Sequence, residues 1–295
     1  MAHRISGFFL LCIVISGCRA GESYPDFNAA RAYQDVRTQL SFGPRIPGTI
    51  AHEETAAWIQ DSLNNSAWSV ETQSFSYHGT TIINIIASNQ CALESPPIIL
   101  GAHYDTRPLA DQDLARPDLP VPGANDGASG VAVLLEIARV MPVCPPIQLA
   151  FFDAEDSGGI AGWDWIVGST YFADHLDTTP VAVIIVDMVG DRDLSLPLER
   201  NSSPDLQASI WAAAERGGYS AFETTRGYAM IDDHTPFLQR GIPAVDIIDF
   251  DYPAWHTVTD TLDQISANSL EQVGQVLVNW LYERNSMNTE MFPVR

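Results

Sequence analysis

The chain has 295 residues, enough for one large α/β domain or two small ones, and at 46% hydrophobic it can bury a substantial core. Its formal charge of -22 argues against nucleic acid and anionic lipid surfaces as partners. It contains no lysine, which excludes a lysine Schiff base, a Walker-type phosphate loop and a Ser-Lys dyad.

Residues 1–17 read as an export signal. Arg4 supplies the positive start, and Phe8 to Ile15 is an apolar run too short to span a bilayer comfortably. Ile15-Ser16-Gly17-Cys18 resembles the bacterial lipobox, in which the cysteine becomes a lipidated N-terminus; an ordinary cleaved signal is the alternative. Both place the mature chain in the periplasm or cell envelope, and in the lipobox case it touches the membrane only through a lipid anchor at Cys18. Residues 18–26 then form a tether, 27–286 the folded catalytic domain and 287–295 a frayed tail. After Cys18 only Cys91 and Cys144 remain. In an oxidising compartment they can pair as a disulfide, and two buried thiols are the alternative.

Helical spacing marks Phe27 to Leu40 and Ala51 to Leu63, separated by the Gly/Pro loop Phe42 to Thr49. Trp68 to Tyr77 alternates as an edge strand, and Thr80 to Ser88 completes a hairpin across His78-Gly79. Pro97 to Ala102 is a buried strand that ends in His103-Tyr104-Asp105. Arg107 to Gly123 is a loop with four prolines, long enough to expect a functional role. Asp126 precedes a helix running to Val140, where the helix dipole helps keep it ionised. Further apolar strands are expected at Ile147 to Phe152, Val181 to Val186 and Ala244 to Ile248. Helices follow at Leu206 to Arg216, after Asp232-Asp233-His234, and over Asn268 to Tyr282. Strands alternating with helices, without internal repeats, indicate a single α/β domain with a mostly parallel central sheet flanked by helices.

The organising stretch is Phe151-Phe152-Asp153-Ala154-Glu155-Asp156-Ser157-Gly158-Gly159. It is a buried strand ending in three acids, and in open α/β sheets the carboxyl ends of strands are where ligands bind. Alone, it is equally compatible with a solvated acidic turn. The pattern across strand ends carries more weight. His103 and Asp105, Asp126, Glu155 and Asp156, Asp187 and His256 arrive from successive elements at one sheet edge. Such carboxylate and imidazole donors suit zinc.

These residues resemble a known family. Phe-Gly-Pro-Arg-Ile-Pro-Gly, His-Tyr-Asp, Ala-Asn-Asp-Gly-Ala-Ser-Gly and Phe-Phe-Asp-Ala-Glu-Asp look like the ordered motifs of zinc aminopeptidase-like proteins. Asp232-Asp233-His234-Thr235-Pro236-Phe237 and Trp255-His256-Thr257 are similar to glutaminyl cyclases within that superfamily. The likeness covers about Phe27 to Tyr282.

The resemblance implies one catalytic zinc per chain, bound by Asp126, Asp156 and His256, with a coordination position left open. It implies Glu155 as proton shuttle, Asp187 and Asp232 as its hydrogen-bonding supports, and Trp255 and Trp163 as pocket walls. The substrate is then a peptide or protein with N-terminal glutamine, taken by a monomer. Zinc supplies Lewis-acid polarisation of the γ-amide carbonyl. Glu155 removes a proton from the α-ammonium, the freed amine attacks the γ-carbon, and Glu155 returns the proton to departing ammonia, leaving pyroglutamate. The chain departs from the animal cyclases at two places. Asp246 stands where they carry a histidine, which places it among the substrate-binding positions, and Asp156 stands where they carry glutamate. A co-catalytic two-zinc aminopeptidase is the alternative. His103, Asp126 and Asp187 would hold one ion, Asp126, Asp156 and His256 the other, and Glu155 would be general base toward water.

Overall fold

The structure, a computed structural model, describes residues 24–64, 67–141 and 144–291. The export signal, Cys18 and the start of the tether lie outside the described residues.

Six strands form the central sheet: β1 (Ser69–Tyr77), β2 (Thr80–Ser88), β3 (Ile98–His103), β4 (Ile147–Phe152), β5 (Ala182–Asp187) and β8 (Ala244–Ile248). Their spatial order is β1-β2-β4-β3-β5-β8. The β1-β2 hairpin and the β2-β4 pair are antiparallel, and β4-β3, β3-β5 and β5-β8 are parallel. Every residue of β3, β5 and β8 is buried, as expected of mostly apolar strands whose two faces are covered by helices, although Asp246 interrupts the run in β8. β1 is the edge strand, and its alternating sequence leaves one face to solvent.

One face of the sheet carries the larger core. It meets α1 (Ala29–Phe42), α2 (Ile50–Asn64), α3 (Ala128–Val140), α5 (Pro204–Gly217) and α7 (Ala267–Met291), through residues such as Val36, Leu134, Ile184, Ile210 and Leu277. The other face packs Ile99, Phe152 and Ile185 against α4 (Val167–Asp174) and α6 (Thr235–Gln239) through Phe172 and Phe237. α3 is buried almost all round; Gly130 is needed there, because a Cβ would sit 2.1 Å from the Val186 carbonyl oxygen.

Two features depart from the sequence reading. β6 (Leu196–Leu198) and β7 (Phe222–Arg226) form a separate parallel pair. Both are too short, and β7 too exposed, to show a period-2 signal. The closing helix continues to Met291, so the start of the expected 287–295 tail is helical in its backbone, and residues 292–295 lie outside the described residues. Cys91 and Cys144 are joined as a disulfide with Cα atoms 5.6 Å apart, a normal separation for the bond.

Candidate active site

The carboxyl ends of β3, β4, β5 and β8 open on one cavity of about 270 Å³. Lining it are Asp126, Glu155, Asp156, Asp187, Asp232 and His256, with Arg107, Trp165 and Trp255. Sharp backbone turns aim these side chains. Ala154, Met188 and His256 have φ of 57°, 47° and 53°, in the left-handed region that costs non-glycine residues energy and persists only when the surroundings enforce it. At Ala154 the enforcing group is Asp105. Its two carboxylate oxygens accept the Glu155 amide at 3.0 Å and the Asp156 amide at 3.2 Å. Asp260 does the same for the other arm, accepting the amides of Asn125 at 2.8 Å and Asp126 at 3.2 Å. Sequence reading placed Asp105 at the sheet edge without this role, and did not single out Asp260.

Asp126, Asp156 and His256 converge, each with a ligand atom within 4.8 Å of the others. His256 Nε2 lies 3.0 Å from Asp156 Oδ1 and 3.7 Å from Asp126 Oδ2. Among the described residues neither Asp156 oxygen, both buried, has a directed hydrogen bond, and the Arg107 guanidinium approaches Oδ1 only to 3.5 Å. Two carboxylates and an imidazole aimed at one point in this way fit a cation. The far side of His256 faces Asp111, Nδ1 to Oδ1 3.4 Å, the carboxylate-histidine arrangement that orients a metal-binding imidazole. Asp111 is itself fixed by both arms of Arg107, at 2.9 and 2.5 Å. The proline-rich loop therefore is functional: Gln112 also donates its amide to the His256 carbonyl at 3.2 Å.

His103, Asp126 and Asp187 form a second convergent set. His103 Nε2 sits 3.1 Å from both Asp126 Oδ1 and Asp187 Oδ1. The ligand inventory for two ions is thus complete.

Burial drives the Glu155 carboxyl well above its ordinary value; the His103 ring opposes this, and the negative Asp156 and Asp232 reinforce it. Asp232 is pushed up to about 6, chiefly by burial and then by Asp187. The expected hydrogen-bonding supports are arranged differently. Asp187 is bonded to His103, and Asp232 accepts the Asp233 amide, so Asp232 acts on Glu155 through charge.

Two expected substrate contacts need correction. Trp163 does not line the cavity. It packs outside against Tyr77, ring centroids 5.3 Å apart, and His78, while Trp165 takes the pocket position, parallel to the His256 ring at 6.2 Å and under the Arg107 guanidinium at 4.7 Å. The left-handed turns at Ala161 and Ile166 rotate the segment, and spacing alone does not reveal them. Asp246 is fully buried in β8 and absent from the cavity lining; it sits behind the wall near His234. Trp255 is a pocket wall as expected, stacked on His256 at 3.9 Å.

Two residues of the motifs quoted above, Arg45 and Asp153, are scaffold. Arg45 is wholly buried and donates to the carbonyls of Tyr104 at 2.9 Å, Pro122 at 2.9 Å and Gly123 at 2.7 Å, tying down both ends of the long loop. Asp153 pairs with His52 at 2.7 Å and accepts the Ile83 amide at 2.8 Å, facing away from the cavity.

The peptidase family M28 model matches residues 84–281. The glutaminyl cyclase of Porphyromonas gingivalis superposes with a TM-score of 0.83 at 35% identity, over 88% of this chain and 99% of that one. A leucine aminopeptidase precursor from Bacteroides thetaiotaomicron VPI-5482 gives 0.82 at 35% identity, over 88% and 98%. The aminopeptidase YwaD of Bacillus subtilis is 30% identical over 210 residues, which are 65% of this chain and only 42% of that larger protein. With the family model covering residues 84–281, which include β3, β4, β5, β8 and every residue that lines the cavity, and a likeness at 35% identity over 88% of this chain, the chain belongs to peptidase family M28 and groups there with the glutaminyl cyclases.

Proposed function

We propose that this protein converts the N-terminal glutamine of peptides or proteins to pyroglutamate with release of ammonia, using one catalytic zinc ion per chain. The observation that carries the reading is the meeting of Asp126, Asp156 and His256 beside buried Glu155 in a cavity of about 270 Å³ walled by Trp165 and Trp255. That volume lies just below the usual range for small-molecule pockets, about 300–1,000 Å³, and suits one side chain with its amine. When bound, the ion supplies Lewis-acid polarisation of the γ-amide.

The chain's own residues do the rest. Trp165 and Trp255 hold the aliphatic part of the glutamine and exclude water. Glu155 accepts a proton from the α-ammonium, and its raised proton affinity lets it carry that proton near neutral pH. The amine then attacks the γ-carbon, a five-membered closure that needs only orientation. Glu155 passes that proton to the leaving nitrogen, and the ring nitrogen gives up its remaining surplus proton as the tetrahedral carbon collapses, so that ammonia departs as ammonium overall.

A two-zinc aminopeptidase remains the rival because His103, Asp126 and Asp187 also converge. One paired assay on the mature protein separates them: a Gln-initiated and a Leu-initiated fluorogenic peptide, with the bound zinc located by diffraction. Ammonia from the first, with zinc at Asp126, Asp156 and His256 and none at His103, Asp126 and Asp187, is expected. Free leucine from the second, with zinc at both of those sets, would replace the cyclase reading.

The same reading makes the protein an exported monomer, anchored at Cys18. The lipobox-like Ile15-Ser16-Gly17-Cys18 and the Cys91–Cys144 disulfide, a bond kept in oxidising compartments, support it. Detergent release of the wild type, with Cys18→Ser soluble in the periplasm, is the expected fractionation.

A further inference from the structure

Behind the cavity wall lies a second buried group that the chemistry above does not use. Asp232, His234 and Asp246 each place a ligand atom within 4.8 Å of the others. His234 and Asp246 are wholly buried. Among the described residues, neither ring nitrogen of His234 and neither oxygen of Asp246 has a hydrogen-bond partner.

The surroundings do not relieve this. His234 Nε2 faces Glu199 at 3.5 Å, but Glu199 is already supplied by the amides of Asn201, Ser202 and Met230 and the Ser202 hydroxyl, all within 2.9 Å. His234 Nδ1 faces Asp246 Oδ2 across 3.8 Å, too far for a direct bond. With its proton on the Glu199 side, the ring turns a lone pair toward a carboxylate, and nothing in the protein bridges them. Leaving both desolvated and unpaired costs several kcal/mol. An imidazole with a carboxylate behind one nitrogen and carboxylates before the other is the arrangement that orients a metal-binding histidine. Nitrogen and oxygen donors of this kind take zinc and its divalent neighbours.

We propose that Asp232, His234 and Asp246 bind a divalent metal ion of the zinc type, distinct from the ion at Asp126, Asp156 and His256 and bordering the catalytic cavity through Asp232. The ion ties pocket-lining Asp232 to β8 and α6, holding it in register with Asp187 and Glu155. This site is independent of whether the chain cyclises or hydrolyses.

The deciding experiment is anomalous diffraction at the zinc edge from crystals of the mature chain equilibrated with zinc. A peak between Asp232, His234 and Asp246 is expected, apart from any peak at Asp126, Asp156 and His256 or at His103. Ordinary water density there, or none, overturns the proposal whatever the other positions hold. In solution, Asp246→Asn should lower the zinc bound per chain by one equivalent after dialysis, read by mass spectrometry; an unchanged count overturns it. If that variant fails to fold, the wild-type diffraction still decides.

Discussion

Two kinds of buried acid lie within a few residues of one another in this molecule. Asp153 and Asp105 are fully provided for: Asp153 by His52 and the Ile83 amide, Asp105 by the amides of Glu155 and Asp156. Asp156 and Asp246 are equally buried, yet their oxygens have no directed donor. Burial is thus common to both, and satisfaction divides them. A carboxylate supplied with amides builds the frame, whereas one left short is poised for a ligand or a proton.

Substitutions on either side of that division should behave oppositely. Glu155→Gln should lower kcat on a Gln-initiated peptide about a thousandfold, on the order of 4 kcal/mol, while the zinc content stays unchanged. Loss of zinc in that variant would show that Glu155 and Asp156 have exchanged roles. On the frame side, Asp153→Ala strands buried His52 and the Ile83 amide. It should cost about 3 kcal/mol in urea unfolding with zinc still bound; a near-neutral result would break the comparison.

A smaller effect separates the two tryptophans. Trp165→Ala should raise KM about tenfold, roughly 1.4 kcal/mol, and Trp163→Ala should leave it unchanged. Equal effects would return Trp163 to the pocket.

The smallest effect is in pH. Asp249 accepts the Ser195 amide at 3.0 Å, but burial, with Asp191 nearby, pushes its carboxyl up to about 7. Between the unfolded value near 4 and the folded value, the native state binds more protons, so this residue's contribution makes stability fall as pH rises. Asp249→Asn should flatten the decline in unfolding free energy between pH 5 and 8; an unchanged slope would remove Asp249 as its source.

The sequence by itself determined the sheet, its layers and most of the site. Short, mostly apolar runs at 98–103, 147–152 and 182–187 fit strands covered on both faces; the first and last end in His103 and Asp187, and the second leads into Asp153, Glu155 and Asp156. Such signals are local, because period and polarity are written in consecutive residues. Tertiary structure alone decided which tryptophan faces the cavity, that Asp246 stands behind it, and which acids are satisfied. Those outcomes depend on left-handed turns and on hydrogen-bond partners 50 and 101 residues apart in the chain, the Glu155 amide with Asp105 and His52 with Asp153. A carboxylate's role is set by how many donors reach it, and that number exists only once the chain has closed around it.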